Sequence, residues 1–390
     1  MTWSTLLTDI GELTTHRAGE DRLTDAAVVV EGDRVAWIGP AAHAPATDDV
    51  VRLHGRAVLP GWVDSHTHLV FAGDRTAEFE ARMAGQQYAA GGIATTVRAT
   101  RAATEAELAV NLRRLRHEAL RQGTTVIETK TGYGLDVATE EASARIAAAQ
   151  VDVVTYLGAH LVPDRLDPRD YLDLVTGPML DAVRPWVQFI DVFCEDGAFD
   201  VDQSREVLDA GRRAGLGLRV HGNQLGPSGG VALAVEAGAA SVDHCNALSP
   251  ADIDALASSS TVATVLPACD LSTRQPLAPA RALVDAGATV AIATNANPGT
   301  SHTTSMPFCV ATAVLQMGLT VAEAVWAATR GGALALGLAD HPDHVGMIEV
   351  GGRADLHVLD APSAAHLAYR PGVPLTAAVW QAGRQVVTTL

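Results

Sequence analysis

Apolar positions along this chain follow two different rhythms. At both ends they come as short β-branched runs. "AAVVVEGDRVAWIG" holds two of them around Glu31-Gly32-Asp33, a hairpin-type turn, and "GMIEVGGRADLHVLDA" and "AAVWQAGRQVVTTL" repeat the texture around Gly-Gly and Ala-Gly turns. These runs predict a small β-sandwich domain built from both chain ends, residues 1–58 with 346–390. The middle reads differently: an amphipathic helix ends at a glycine, and an apolar run follows within a few residues. "HEALRQGTTVIETK", "DAGRRAGLGLRVHGNQ", "AVEAGAASVDHC" and "LVDAGATVAIATN" are four copies. A glycine past the last helical turn supplies a left-handed cap, and a continuous Val/Ile/Leu/Ala run suits a parallel strand buried on both faces.

Strands of this kind are predicted at about 62–68, 124–130, 153–159, 187–194, 217–223, 240–245, 261–267 and 289–295, with helical patterns such as "TEAELAVNLRRLRHEAL" between them. Eight parallel strands with intervening helices close into a barrel. The expected architecture is therefore α/β, a (β/α)8 barrel over residues 59–345. In that fold the chemistry sits at the carboxyl ends of the strands.

Composition narrows the choice of partners. A formal charge of −17, from 28 basic and 45 acidic residues, argues against a nucleic-acid partner, which needs a concentrated basic face. A small anion held by one arginine is compatible with it. The four cysteines, Cys194, Cys245, Cys269 and Cys309, are scattered without a C-x-x-C pair, so neither a disulfide framework nor a zinc ribbon is expected. The start "MTWSTLLTDIGEL" lacks a basic, apolar leader, and no stretch nears the roughly 18 apolar residues of a membrane span. The expectation is a cytoplasmic protein with no membrane partner.

The polar residues at the predicted strand ends carry the chemistry. They are His66 and His68, Glu128 and Lys130, His160, Glu195, His221 and Gln224, His244, then Asn295 and Asn297. Of 14 histidines, five fall at the ends of strands 1, 3, 5 and 6. His66 and His68 are two apart on a strand, so both imidazoles leave the backbone in one direction. With one histidine from strand 5 they can supply three nitrogen ligands at about 2.0–2.1 Å from a divalent metal, leaving a position for water. A single such imidazole is as well read as a core group bonded to backbone; the set is what points to a ligand cluster.

The barrel with "DSHTH" on strand 1, a histidine on strand 5, "DH" on strand 6 and a polar residue after strand 8 resembles the amidohydrolase superfamily of metal-dependent hydrolases. Over nearly the whole chain the closer resemblance is to the imidazolonepropionases of histidine degradation. It is carried by "HTHLVFAGDRTAEFEARMAG", "ETKTGYGL", "YLGAHLVP", "DVFCEDGAF", "VHGNQL", "DHCNAL" and "NPGTS". The resemblance implies hydrolysis of the cyclic amide of 4-imidazolone-5-propanoate to N-formimino-L-glutamate. It implies one divalent metal, zinc or iron, on His66, His68 and His221 with Asn295 at the fourth position. It implies substrate contacts from Arg75, Tyr133, His160, Asn297, Gly299 and Thr300, with Gln224 bonding the ring and His244 stabilising the oxyanion or moving a proton. Relatives of this architecture associate as homodimers. The physics agrees for Arg75, whose planar fork suits a propionate carboxylate better than a lysine would; its plain alternative is an ion pair with Asp74 or Glu78.

One position departs from the pattern. Related enzymes carry aspartate where this chain has Asn295, and a carboxamide cannot accept a proton. Loss of a positioned base costs about 10²–10⁴ in rate. The departure leaves three readings: a substrate-binding but silent protein, a hydrolase using His244 as base, or a relative with altered chemistry on a neighbouring cyclic amide or amidine. Lys130 raises a separate point, because some amidohydrolases bridge two metals with a carbamylated lysine. That lysine comes from a different strand end, so Lys130 reads as a structural or supporting residue.

Overall fold

The computed structural model describes residues 3–86, 92–164 and 166–390. Sixteen strands follow in chain order among them: β1 (Ser4–Thr14), β2 (Arg22–Leu23), β3 (Ala26–Glu31), β4 (Arg34–Pro40), β5 (Asp49–Pro60), β6 (Trp62–Asp64), β7 (Thr124–Lys130), β8 (Val153–Ala159), β9 (Phe189–Cys194), β10 (Gly217–Gly222), β11 (Ser241–His244), β12 (Val262–Val265), β13 (Val290–Ile292), β14 (Leu356–Leu359), β15 (Thr376–Gln381) and β16 (Arg384–Thr388). They form two sheets.

The first sheet joins both chain ends in the order β16-β15-β14-β5-β1-β3-β4, with β2 paired to β1. It is antiparallel except where β1 runs parallel to β5. The Glu31-Gly32-Asp33 turn closes the β3–β4 hairpin, Glu31 opposite Arg34, with Gly32 at φ 61. Leu7, Leu13, Val28, Val30, Leu53, Val58, Leu356, Val358 and Trp380 bury their side chains together in one core cluster. This sheet belongs to a compact unit of residues 1–64, 117–126 and 305–390, which also carries the helices Met306–Gln316 and Val321–Trp326.

The second sheet is parallel, in the unbroken order β6 to β13. β7, β8 and β9 are buried at every residue, as parallel strands covered on both faces are, polar residues such as Glu128, Lys130 and Asp191 included. The glycines that end the four helix-to-strand repeats, Gly123, Gly215, Gly238 and Gly287, all adopt positive φ. Each of the eight expected strands is present, and the first and last are shorter than expected, 62–64 and 290–292. Past these limits the two edges meet through an isolated bridge, not a continuous ladder. Beyond Asp64, the His66 carbonyl accepts from Asn295 N and His68 N donates to the Ala296 carbonyl, both at 2.9 Å. Thr67 thus bridges to Ala296 in parallel fashion, joining the first strand's extension to the last strand's. The second compact unit, residues 65–116 and 127–304, contains these strand ends. No helix among the described residues is long and apolar enough to cross a membrane.

Candidate active site at the strand ends of the barrel

Four imidazoles meet where the sequence placed them. His66 and His68 project to one side with Nε2 atoms 3.2 Å apart. The His66 ring centroid lies 4.6 Å from that of His221 and 5.7 Å from that of His244, and His68 lies 5.5 Å from His221. Nitrogens of His66, His221 and His244 all fall within 4.8 Å of one another, a spacing able to hold a metal ion. His244 reaches this position through a left-handed backbone, φ 86. His160, also buried, stacks on His68 at 5.8 Å and turns Nδ1 to the Gly132 carbonyl at 2.8 Å.

Behind the rings lies a charged layer with no exposed side-chain surface. Asp243 stands 2.7 Å from His66 Nδ1, and Asp191 stands 3.1 Å from His221 Nδ1. Lys130 Nζ lies 2.8 Å from Asp191, 3.1 Å from Glu128 and 3.6 Å from Asp243. Arg219 donates to Asp243 at 3.1 Å and to the Ser65 carbonyl at 2.7 Å. Of this layer the sequence reading found Glu128 and Lys130 and missed Asp191, Arg219 and Asp243. For Arg219 alone the sequence held a signal, parity: it stands two residues before His221, and so faces the barrel interior with it.

Burial and this layer fix the protonation states. Burial, then the Lys130 charge, lowers His66 to about 3 against the pull of Asp243. Burial and neighbouring imidazoles hold His68 and His244 well below the usual histidine value, and burial lowers His160 to about 4. Burial disfavours the Asp243 carboxylate, but Arg219, His66 and Lys130 outweigh it and hold this acid well below the ordinary range. Burial and Arg219 press the Lys130 ammonium downward, yet the three carboxylates win and its pKa is raised. His66, His68, His160 and His244 are thus neutral, with ionised Asp191 and Asp243 behind the cluster. A carboxylate on Nδ1 takes that nitrogen's proton in hydrogen bonding and leaves Nε2 as a lone pair. His221 Nε2, His68 Nδ1 and His244 Nδ1 are buried without a hydrogen-bond partner among the described residues, as suits a cluster built to surround a cation.

One pocket opens on these rings, lined by His68, Arg75, Ile93, Tyr133, His160, Phe193, His221, Gln224, His244, Asn295, Asn297 and Thr300. Arg75 forms the pair with Glu78 that its plain reading expected, Nε to Oε2 at 2.8 Å and Nη2 to Oε1 at 2.7 Å, and still lines the pocket. Its guanidinium needs glycine on two sides: a Cβ at Gly299 would come within 2.1 Å of Nη1, and one at Gly92 within 2.0 Å of Nη2. Tyr133 rides on a turn held by the buried Glu140, which accepts from Gly134 N at 2.7 Å and Leu135 N at 2.9 Å and was not singled out in the sequence. Gln224 is set by its own N–H on Glu195 at 2.8 Å. Asn297 is spent on the loop itself. Its Oδ1 accepts from Gly299 N and Thr300 N at 2.8 Å, and its Nδ2 donates to the Asn295 carbonyl at 2.7 Å and Oδ1 at 3.1 Å. Asn295 is buried at φ 51, a conformation that asparagine tolerates better than most residues.

The amidohydrolase family pattern matches residues 57–388. The chain belongs to the amidohydrolase family. Within it, this amidohydrolase falls among the imidazolonepropionases. It is 67% identical to the imidazolonepropionase of Saccharopolyspora erythraea, covering 98% of this chain and 99% of that protein. It is 64% identical to that of Paenarthrobacter aurescens, covering 98% of each. Solved structures share the fold at much lower identity. A triazine hydrolase variant matches with TM-score 0.74 and 18% identity over 99% of this chain and 95% of that one. An adenosine deaminase from Xanthomonas campestris, with bound zinc, matches with TM-score 0.74 and 21% identity over 99% and 93%.

Proposed function

We propose that this amidohydrolase opens the ring of 4-imidazolone-5-propanoate by hydrolysis of its cyclic amide, giving N-formimino-L-glutamate. One divalent cation, zinc or iron, would be held by His66, His68 and His221, with the Asn295 carboxamide beside them. The observation that carries this reading is the convergence of buried imidazoles with unpartnered nitrogens, two of them backed by carboxylates, in a pocket that also contains a guanidinium. Bound there, the cation supplies Lewis acidity toward the ring carbonyl and acidifies water.

The chain's own residues divide the remaining work. Arg75 grips the propionate carboxylate, already oriented by Glu78. Gln224, a neutral amide, orients the ring without titrating. Tyr133, His160 and Thr300 line the substrate's place, and Gly299 leaves room for Arg75. Asn295 cannot take a proton, so His244, neutral and in the same pocket, receives the proton of the attacking water and returns it to the departing ring nitrogen. The four cysteines are free and buried, which supports a reducing cytoplasm.

Asn295 also favours a second reading, a protein that binds the substrate without turning it over. Zinc-loaded protein incubated with 4-imidazolone-5-propanoate separates the two. Steady loss of ring absorbance with one N-formimino-L-glutamate per substrate supports the hydrolase, and saturable binding without loss supports the silent form. In the silent case Asn295→Asp should raise turnover by about 10²–10⁴, the range for supplying a positioned base.

A further inference from the structure

Three buried carboxylates stand behind the imidazoles, and Lys130, the chain's one lysine, contacts them all at 2.8–3.6 Å. Oxygens of Asp191 and Asp243 and a ring nitrogen of His221 lie within 4.8 Å of one another, a second set of atoms with metal-binding spacing. Of this set the Lys130 ammonium stands against Asp191 and Asp243. Asp191 Oδ2 meets Lys130 Nζ at 2.8 Å and His221 Nδ1 at 3.1 Å. Arg219 hydrogen-bonds Asp243 and the Ser65 carbonyl, and acts on Asp191 and Glu128 through its charge alone. Without the ammonium, the three carboxylates would be left to the Arg219 guanidinium in a medium of low dielectric.

We propose that Lys130 is a resident cation. Its ammonium takes the place a second metal ion would hold behind the imidazoles, keeps Asp191 and Asp243 engaged with His221 and His66, and so limits the site to one divalent ion. Lys130 is on this account a positioning residue, acting through the carboxylates on the ligands. The inference rests on the metal reading given above. A fixed amine has an advantage over a second metal, since it cannot be lost or exchanged and leaves the rear imidazole nitrogens to the carboxylates.

Metal content decides the matter. Wild type, Lys130→Met, Lys130→Arg and the double variant Lys130→Met with Asp191→Asn are loaded with zinc, freed of excess by dialysis and assayed by elemental analysis, with circular dichroism to confirm folding. The expected counts are one ion per chain for wild type and Lys130→Arg, two for Lys130→Met, and one again for the double variant. Lys130→Met should also gain thermal stability from added zinc beyond any gain in wild type. One ion in both wild type and Lys130→Met overturns this proposal and leaves the metal reading intact. No ion in wild type overturns both. If Lys130→Met folds only when zinc is present, the substitution of metal for amine is supported. If neither Lys130→Met nor Lys130→Gln folds with zinc or without it, a metal does not replace the amine and the proposal fails.

Discussion

His357 in the chain-end sheet and His66 in the barrel are both fully buried, and both imidazoles are driven down to about 3. His357, on β14, places Nε2 2.9 Å from the Thr376 hydroxyl oxygen and sets its ring edge-on to Trp62 at 5.3 Å. Burial alone accounts for its shift. His66 adds to burial the charges of Lys130 and Asp243 and the neighbouring His221 ring. Each has been desolvated to a similar degree, so a buried histidine with a low pKa does not by itself mark a site. Convergence marks it: several rings on one point, with a carboxylate fixing the rear nitrogen of two of them.

Substitutions on the two sides of this comparison should separate cleanly. The largest effect is expected from His221→Ala. Loss of a Lewis acid worth several kcal/mol should lower kcat/KM by roughly 10³ or more and remove bound zinc. His357→Gln should leave both quantities within about twofold. Kinetics and elemental analysis on the same preparations check this, and zinc loss from His357→Gln would break the comparison.

Asp191→Asn, which keeps the His221 ring in place but weakens the group behind it, should reduce zinc affinity by about 10–100-fold in a chelator competition. Arg75→Gln should leave zinc content unchanged and raise KM by roughly 10–100-fold, the worth of a charge-assisted contact of about 1.5–3 kcal/mol. The smallest effect concerns His357 alone. Its folded pKa of about 3 lies below the ordinary 6.5, so between these values the unfolded chain binds a proton that the folded one refuses. Stability is therefore lost as pH falls through that window, by about 1.4 kcal/mol per pH unit from this group. His357→Gln should flatten the fall between pH 6 and 5 by about that amount in denaturant titrations.

Four of the barrel strands, β7, β10, β11 and β13, were legible because each follows a glycine that the helix cap requires, and Gly123, Gly215, Gly238 and Gly287 all take the left-handed conformation. The ends of β6 and β13 were not, because ring closure is a long-range event linking Thr67 to Ala296. The histidines were legible from strand parity. The charged layer was not, since a lone aspartate in an apolar run says nothing until register gives it a neighbour. Parallel pairing sets Arg219 beside Asp191 and His221 beside Asp243. The Arg75–Glu78 pair could be read from i,i+3 spacing, whereas its slot depends on Gly92 and Gly299, distant in sequence.

Anomalous diffraction at the zinc edge, on crystals of protein loaded with zinc and never exposed to chelator, tests the account most directly. The account predicts one peak per chain among His66, His68 and His221, with none in the layer of Lys130, Asp191 and Asp243. An absent peak, or an ion elsewhere while these rings turn away from one another, would contradict it.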